Sequence, residues 1–264
     1  MKYFFSTRKR MSSYRLWGST EDGVIEFESM TDDTLSGALD VIRKSFFIHE
    51  SVCKGVELMT EPGAVEELIE LCLIAAKDGV SIVAIDVESG EVVGALFNKI
   101  QVAGCPTDKS TFELFSENCK YKSSKALVDF MIDIDNRINL FKHYNTKYIL
   151  ELMFLATLPN YGKRRIGELL ISSTLEMARE LKRGKSVKIP VTINNNNCIE
   201  NNDIIPTLAS GIMTSNYSKK ICMKLGFETL LERNFDQYEF NGKKFNDRID
   251  EEHWRFFLVA KRIL

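Results

Sequence analysis

The run KYILELMFLATL, Lys147 to Leu158, constrains this chain more than any other stretch. It is mostly apolar, too short to cross a bilayer, and it stops at a proline. Apolar continuity at that length marks a strand covered on both faces, so layers must lie above and below it. The residues that follow supply one of those layers. PNYGKRRIG, from Pro159 to Gly167, brackets three consecutive basic residues with glycines. The helical pattern behind it places Ile166, Leu169, Leu170, Met177 and Leu181 on one side. Strand, loop and helix in that order predict an α/β protein.

The flanking sequence extends the pattern. VIEFESM (24–30) reads as a strand, and TDDTLSGALDVIRKSFF as a helix with a Thr31 cap and early acids. A second helix fits AVEELIELCLIAAKDG and ends at Gly79. SIVAIDV and EVVGALFNKI flank the turn dipeptide Ser89-Gly90, so they form a hairpin. Residues 101–123 carry no clear periodicity, whereas 124–141 show a helical face. SVKIPVTI (186–193) reads as a further strand and NNNNCIENND as a polar loop. TSNYSKKICMKLGF reads as a short helix ending at Gly226. FETLLERNFDQYEF and WRFFLVAKRI close the chain as strands around the turn-like NGKK. With no repeat and no linker, the expectation is one domain over 24–264, preceded by a flexible arm at 1–23.

Composition narrows the function classes. Lys+Arg 35 against Asp+Glu 37 gives a net charge of -2, which argues against a broad nucleic-acid footprint. No apolar stretch suits a signal peptide or a membrane anchor. Cys53, Cys72, Cys105, Cys119, Cys198 and Cys222 show no metal-like spacing, so reduced thiols in a cytoplasmic protein without a metal site are expected.

The glycine–basic loop opens a helix, where free N–H groups and the helix dipole favour anions. Gly162 and Gly167 have P-loop separation, but Glu168 and Leu169 replace the Lys and Ser/Thr that a nucleotide and Mg²⁺ require. A P-loop is excluded. Local spacing leaves two readings open, a phosphate cradle and a solvated basic tip.

Order along the chain goes further. LELMFLATLPNYGKRRIGELLISSTLEMA resembles the acetyl-CoA motif of the GNAT acyltransferase superfamily, a strand, a Q/R-x-x-G-x-G/A loop and a helix. FFIHES resembles the FF-x-x-E-P signature of insect-type arylalkylamine N-acetyltransferases. TSNYSKKICMKLGFETLLE resembles their S-x-x-x-S-K/R and KLGF segment, and NGKKFNDRIDEEHWRFFLVAKRIL their closing strands. The four pieces occur in family order. In this alignment Arg165 stands where the family places its first motif glycine, Ser51 replaces the proline after the glutamate, and Thr214 replaces the first serine.

The resemblance implies a GNAT-like fold, a central mixed sheet flanked by helices, and acetyl transfer from acetyl-CoA to a small arylalkylamine. It implies Glu50 as general base, with His49 the neighbouring alternative. Thr214 and Ser218 would position the substrate and protonate the thiolate, with Tyr217 a second candidate acid. The backbone of Leu155, Ala156 and Thr157 would pair with pantetheine. Gly162, Lys163, Arg164, Arg165, Ile166 and Gly167 would hold the pyrophosphate. Phe46, Phe47 and Met153 are candidates for the acceptor pocket. Two alternatives stay open: an acyltransferase for polyamines or longer acyl-CoA, and a non-catalytic CoA-binding protein on the same scaffold.

Overall fold

The apolar run at 147–158 lies where its composition requires, inside a sheet with helices on both faces. The computed structural model describes residues 15–104, 109–192 and 204–264. Among these, the strands are β1 (Leu16–Ser19), β2 (Ile25–Ser29), β3 (Ile82–Asp86), β4 (Val92–Val102), β5 (Tyr148–Thr157), β6 (Leu208–Met213), β7 (Glu228–Asn234), the small hairpin β8 (Glu239–Phe240) and β9 (Lys243–Lys244), and β10 (Arg255–Arg262). The main sheet runs β1-β2-β3-β4-β5-β6-β10-β7. β5 and β6 are parallel and the other neighbours antiparallel, so the sheet is mixed as expected.

The helices are α1 (Asp32–Val41), the short α2 (Phe47–His49) and α3 (Ser51–Gly55), α4 (Pro62–Ala76), α5 (Thr111–Asn118), α6 (Lys122–Arg137), α7 (Leu140–Tyr144), α8 (Ile166–Lys182) and α9 (Asn216–Lys224). Two apolar clusters separate the faces of the sheet. Leu39, Leu68, Leu127 and Phe130 bring α1, α4 and α6 onto one face. Leu170, Leu175, Met177 and Cys222 bring α8 and α9 onto the other. Gly94 of β4 permits the close approach of α8, because a Cβ there would lie 2.9 Å from Ile166 Cγ2.

Several sequence expectations change. Leu16–Ser19, placed in the N-terminal arm, pairs with β2, and Trp17 Nε1 donates to Ser29 Oγ at 2.8 Å. Residues 1–14 lie outside the described residues. SVKIPVTI is not a strand as far as it is described: Pro190 has no N–H to give a ladder, and Ile189 N–H donates instead to Gly79 O. The strand that follows α8 is β6, whose sequence LASGIM lacks the β-branched density that marks a strand. Lastly, the segment after Thr31 is not one regular helix. Ile42–Phe46 widens into a π turn before α2. Such turns recur at functional sites, and this one leads directly to Phe46 and Glu50.

The FETLLERNFDQYEF stretch is not one strand: it breaks at Phe235–Gln237 between β7 and β8, and the turn expected at NGKK lies within the small hairpin. Asn241 and Gly242 both have positive φ, the geometry of a tight hairpin turn, between β8 and β9. The described cysteines Cys53, Cys72, Cys119 and Cys222 are unpaired thiols. Cys105, Cys198 and the asparagine-rich loop from Asn194 to Asp203 lie outside the described residues. Among the described residues no helix is long and apolar enough to cross a membrane.

Candidate active site

β5 and β6 run in parallel register from Ile149↔Leu208 to Leu152↔Gly211, where their pairing ends. A Cβ on Gly211 would sit 3.0 Å from Leu152 O, so glycine lets the strands meet closely before they part. On its other edge β5 stays paired to β4 through Thr157, and Met153 is the extra residue of a bulge. Beyond Leu152, therefore, the β5 backbone facing away from β4 has no strand partner. A cavity of about 430 Å³ opens there, and Met153, Leu155, Ala156 and Thr157 line it. Ser45 Oγ, brought up by the π turn, donates to Thr157 O at 2.8 Å and fixes the strand end.

The loop after β5 leads into α8. Lys163 and Arg165 both take left-handed backbone, with φ of 63° and 61°. Arg165 is the residue before the first turn of α8 and offers no side-chain cap. It thus holds the backbone conformation for which glycine is best suited, at a cost of about 1–2 kcal/mol. Its guanidinium turns to Glu168 at 2.7 Å and Glu21 at 3.4 Å, and Glu168 also accepts from Lys224 at 2.9 Å. The positive field near the loop therefore rests more on the exposed Lys163 and Arg164 than on Arg165. Arg164 lies 5.2 Å from the Tyr161 ring centroid, and Tyr161 donates to Asp86 at 3.2 Å. A Cβ on Gly167 would meet Ile221 Cδ1 at 3.5 Å, an ordinary contact that leaves room for a small residue. The Gly162 N–H is already given to Pro159 O at 3.1 Å, so the open β5 edge and the amides at Ile166 and Gly167 fit an amide-bearing arm that ends in a diphosphate.

Glu50 lies in the extended link between α2 and α3. Its Oε2 accepts from Cys53 N–H at 2.7 Å, so it caps α3. Its Oε1 is buried without a hydrogen-bond partner, and Glu50 lines the cavity. The carboxylate therefore has one oxygen held by the fold and one left over. Ser51, next in the chain, donates from Oγ to Thr214 O at 2.9 Å and ties this link to the β6–α9 corner. A proline at that position would have no donor for the tie.

At that corner the geometry differs from the sequence expectation. Thr214 lies before the first turn of α9, so Thr214 and Ser218 do not share a helical face. Ser215 is the cap: its Oγ accepts from Ser218 N–H at 3.1 Å and lies 2.9 Å from Ser218 Oγ. Thr214, Ser215 and Ser218 all line the cavity with Glu50. Tyr217 sits at its rim, 59% exposed, and donates to Glu252 Oε1 at 3.0 Å, a bond that pushes its phenol above the ordinary range. Of the aromatics, Phe46 faces the cavity and meets Phe154 edge-on at 5.3 Å, while Phe47 is fully buried core.

Sequence reasoning missed three residues here. Ser215 was legible as the cap of an S-x-x-S turn. Ser51 carried no signal, because its partner is a backbone carbonyl far along the chain. Glu151, the one charged residue of β5, was hidden inside an apolar run; it lines the cavity although only 5% exposed.

Comparison with solved structures gives these features a common frame. The chain is similar to arylalkylamine N-acetyltransferase 2 from Aedes aegypti, at 24% identity and a TM-score of 0.73, over 91% of this chain and 99% of that one. The chain has the GNAT fold. Within that GNAT frame it is also similar to a mosquito arylalkylamine N-acetyltransferase like 5b (15% identity, TM-score 0.65, 90% and 99% covered). A third GNAT-fold likeness is the Drosophila melanogaster polyamine N-acetyltransferase that forms N-acetylagmatine (12%, 0.63, 90% and 99%). No family model and no curated sequence matches the chain. The family resemblance read from the motifs and the fold therefore agree.

Proposed function

We propose that this protein is an acetyl-CoA-dependent N-acetyltransferase for the primary amine of a small molecule with an apolar body. The single observation that carries the reading is convergence in one cavity. Glu50, whose Oε1 is buried without a partner, the open edge of β5 and the Ser215–Ser218 hydroxyl pair line the same space. GNAT-fold proteins named as amine N-acetyltransferases support it. Acetyl-CoA supplies the thioester.

The chain's residues divide the chemistry as follows. The β5 backbone at Leu155, Ala156 and Thr157 aligns the pantetheine arm, and the amides that open α8 at Ile166 and Gly167 bind the diphosphate, with Lys163 and Arg164 supplying positive charge. Glu50 Oε1 takes a proton from the incoming ammonium, directly or through one water, so that nitrogen can attack the thioester carbon. As the C–S bond breaks, Ser218 is placed to give its hydroxyl proton to the thiolate and to recover one through Ser215. Ser218, half-buried and bonded only to the neutral Ser215 through its carbonyl at 3.1 Å and its hydroxyl, is better placed than Tyr217, which is exposed at the rim with its proton on the Glu252 carboxylate. Thr214 contributes through its carbonyl, which locks the Ser51 link. The aromatic wall at Phe46, Phe130 and Phe154 suits an arylalkylamine. The unpaired thiols suit a reducing, cytoplasmic setting.

The test is thiol release by purified protein with acetyl-CoA and a panel of amines. Amine-dependent release is expected. Measurable acetyl-CoA binding with no release above background for any amine would leave a CoA-binding protein without this activity.

A further inference from the structure

A charge inside a doubly covered strand is costly and needs a reason. Glu151 is that charge. Its neighbours are Lys99 in register on β4, Ser210 in register on β6, Gln101 and Asp135. Gln101 Nε2 donates to its Oε2 at 2.6 Å, which is a neutral partner. The Nζ of Lys99 is taken by Asp78 at 2.6 Å. Asp135 of α6 is near enough for the two carboxyls to repel each other. Among the described residues, no Lys, Arg or His nitrogen lies within ion-pair distance of either Glu151 or Asp135. Burial pushes both groups above the ordinary carboxylate range; repulsion from Glu151 adds to the rise at Asp135, and Gln101 and Lys99 only partly offset that at Glu151.

Glu151 nevertheless belongs to the cavity wall, with Leu127, Phe130 and Met131 of α6 and Phe154 of β5. It lies on the side of the Met153 bulge away from the Gly162–Gly167 loop. An acceptor whose amine meets Glu50 thus has apolar surface along its body and the acid Glu151 in the same wall. We propose that Glu151 anchors a second cationic group on the acceptor. The preferred substrate is then a dication, an alkyl diamine or guanidino-amine, rather than a simple arylalkylamine. The apolar wall accepts either body; the anchor discriminates by charge. A ligand cation turns a buried acid without a counter-ion into a paired one, which is why the pocket keeps it.

This inference rests on the N-acetyltransferase reading, and one experiment separates the two. Thiol release by the full chain is compared for 1,5-diaminopentane, agmatine, tyramine and 2-phenylethylamine, in wild type and Glu151→Gln. Wild type is expected to favour the dications over 2-phenylethylamine by at least tenfold in kcat/KM, and Glu151→Gln to erase most of that ratio through KM. Asp135→Asn, which keeps the neutral form that repulsion favours, should retain the preference. Equal wild-type values for dications and 2-phenylethylamine overturn the anchor, and that result needs no variant to fold. Tyramine matching the dications also overturns it, since a phenol would then be the group recognised. If no amine is turned over, the N-acetyltransferase reading fails and the anchor is judged on binding. A rise in melting temperature with 1,5-diaminopentane that Glu151→Gln abolishes would support it, and no rise would refute it.

Discussion

Arg165 shows how one residue can keep a backbone conformation while changing its chemistry. The motif places a glycine here, and Arg165 takes the left-handed backbone that glycine favours, with φ of 61°. Its side chain is occupied by Glu168 and Glu21, both contacts on the exposed side and worth little individually. Arg165→Gly should therefore relieve strain of about 1 kcal/mol and raise the melting temperature by roughly 2–4 °C, by calorimetry. Acetyl-CoA binding should not weaken, because the amides of the loop and not this guanidinium hold the anion. A lower melting temperature would show that the ion pairs outweigh the strain. The sequence made the anomaly visible but not its resolution: the alignment placed Arg165 on a glycine position, and only the torsion shows that the glycine conformation survives.

At the scale of elements, the site is held by two joints that were illegible in the chain. Ser51 Oγ ties the α2–α3 link to the carbonyl of Thr214, far along the sequence. Ser51→Ala should cost about 1 kcal/mol of stability in denaturant unfolding, for one lost hydrogen bond. It should also lower kcat by up to roughly tenfold with little change in acetyl-CoA KM, because Glu50 loses its register with the corner. An unchanged kcat would mean that Glu50 is positioned by its cap alone. The second joint is the parting of β5 from β6. The apolar run announced β5 plainly, since burial on both faces writes itself into composition. β6 did not announce itself: LASGIM has small residues where the strands approach, and a more apolar stretch, SVKIPVTI, drew the assignment although its proline forbids a ladder. Pattern reports burial well and pairing poorly. The π turn at Ile42–Phe46 was likewise invisible, because one extra residue per turn leaves the apolar spacing nearly intact.

For the whole molecule, the order of motifs foretold the GNAT fold, and the convergence of Glu50, Thr214 and Ser218 on one cavity required coordinates. The buried acidic pair gives the whole fold a pH signature. In the unfolded chain Asp135 and Glu151 ionise in the ordinary carboxylate range, whereas in the folded state burial holds their protons to higher pH. The folded state thus binds more protons between those limits, so this contribution to stability is greatest in acid and falls as pH rises toward neutrality. Denaturant midpoints at several pH values should show this decline in wild type and a flatter profile in Glu151→Gln; parallel profiles would mean the pair is solvated. Catalysis itself turns on Glu50, which caps α3 with one oxygen, keeps the other buried and unpartnered, and lines the cavity. Glutamine at that position can still accept the Cys53 amide but cannot take a proton. Steady-state thiol release by wild type and Glu50→Gln across a pH series is the most direct measurement. A fall in kcat/KM of about 10²–10⁴-fold with an altered pH profile and unchanged acetyl-CoA affinity is predicted; turnover and a profile matching wild type would contradict it.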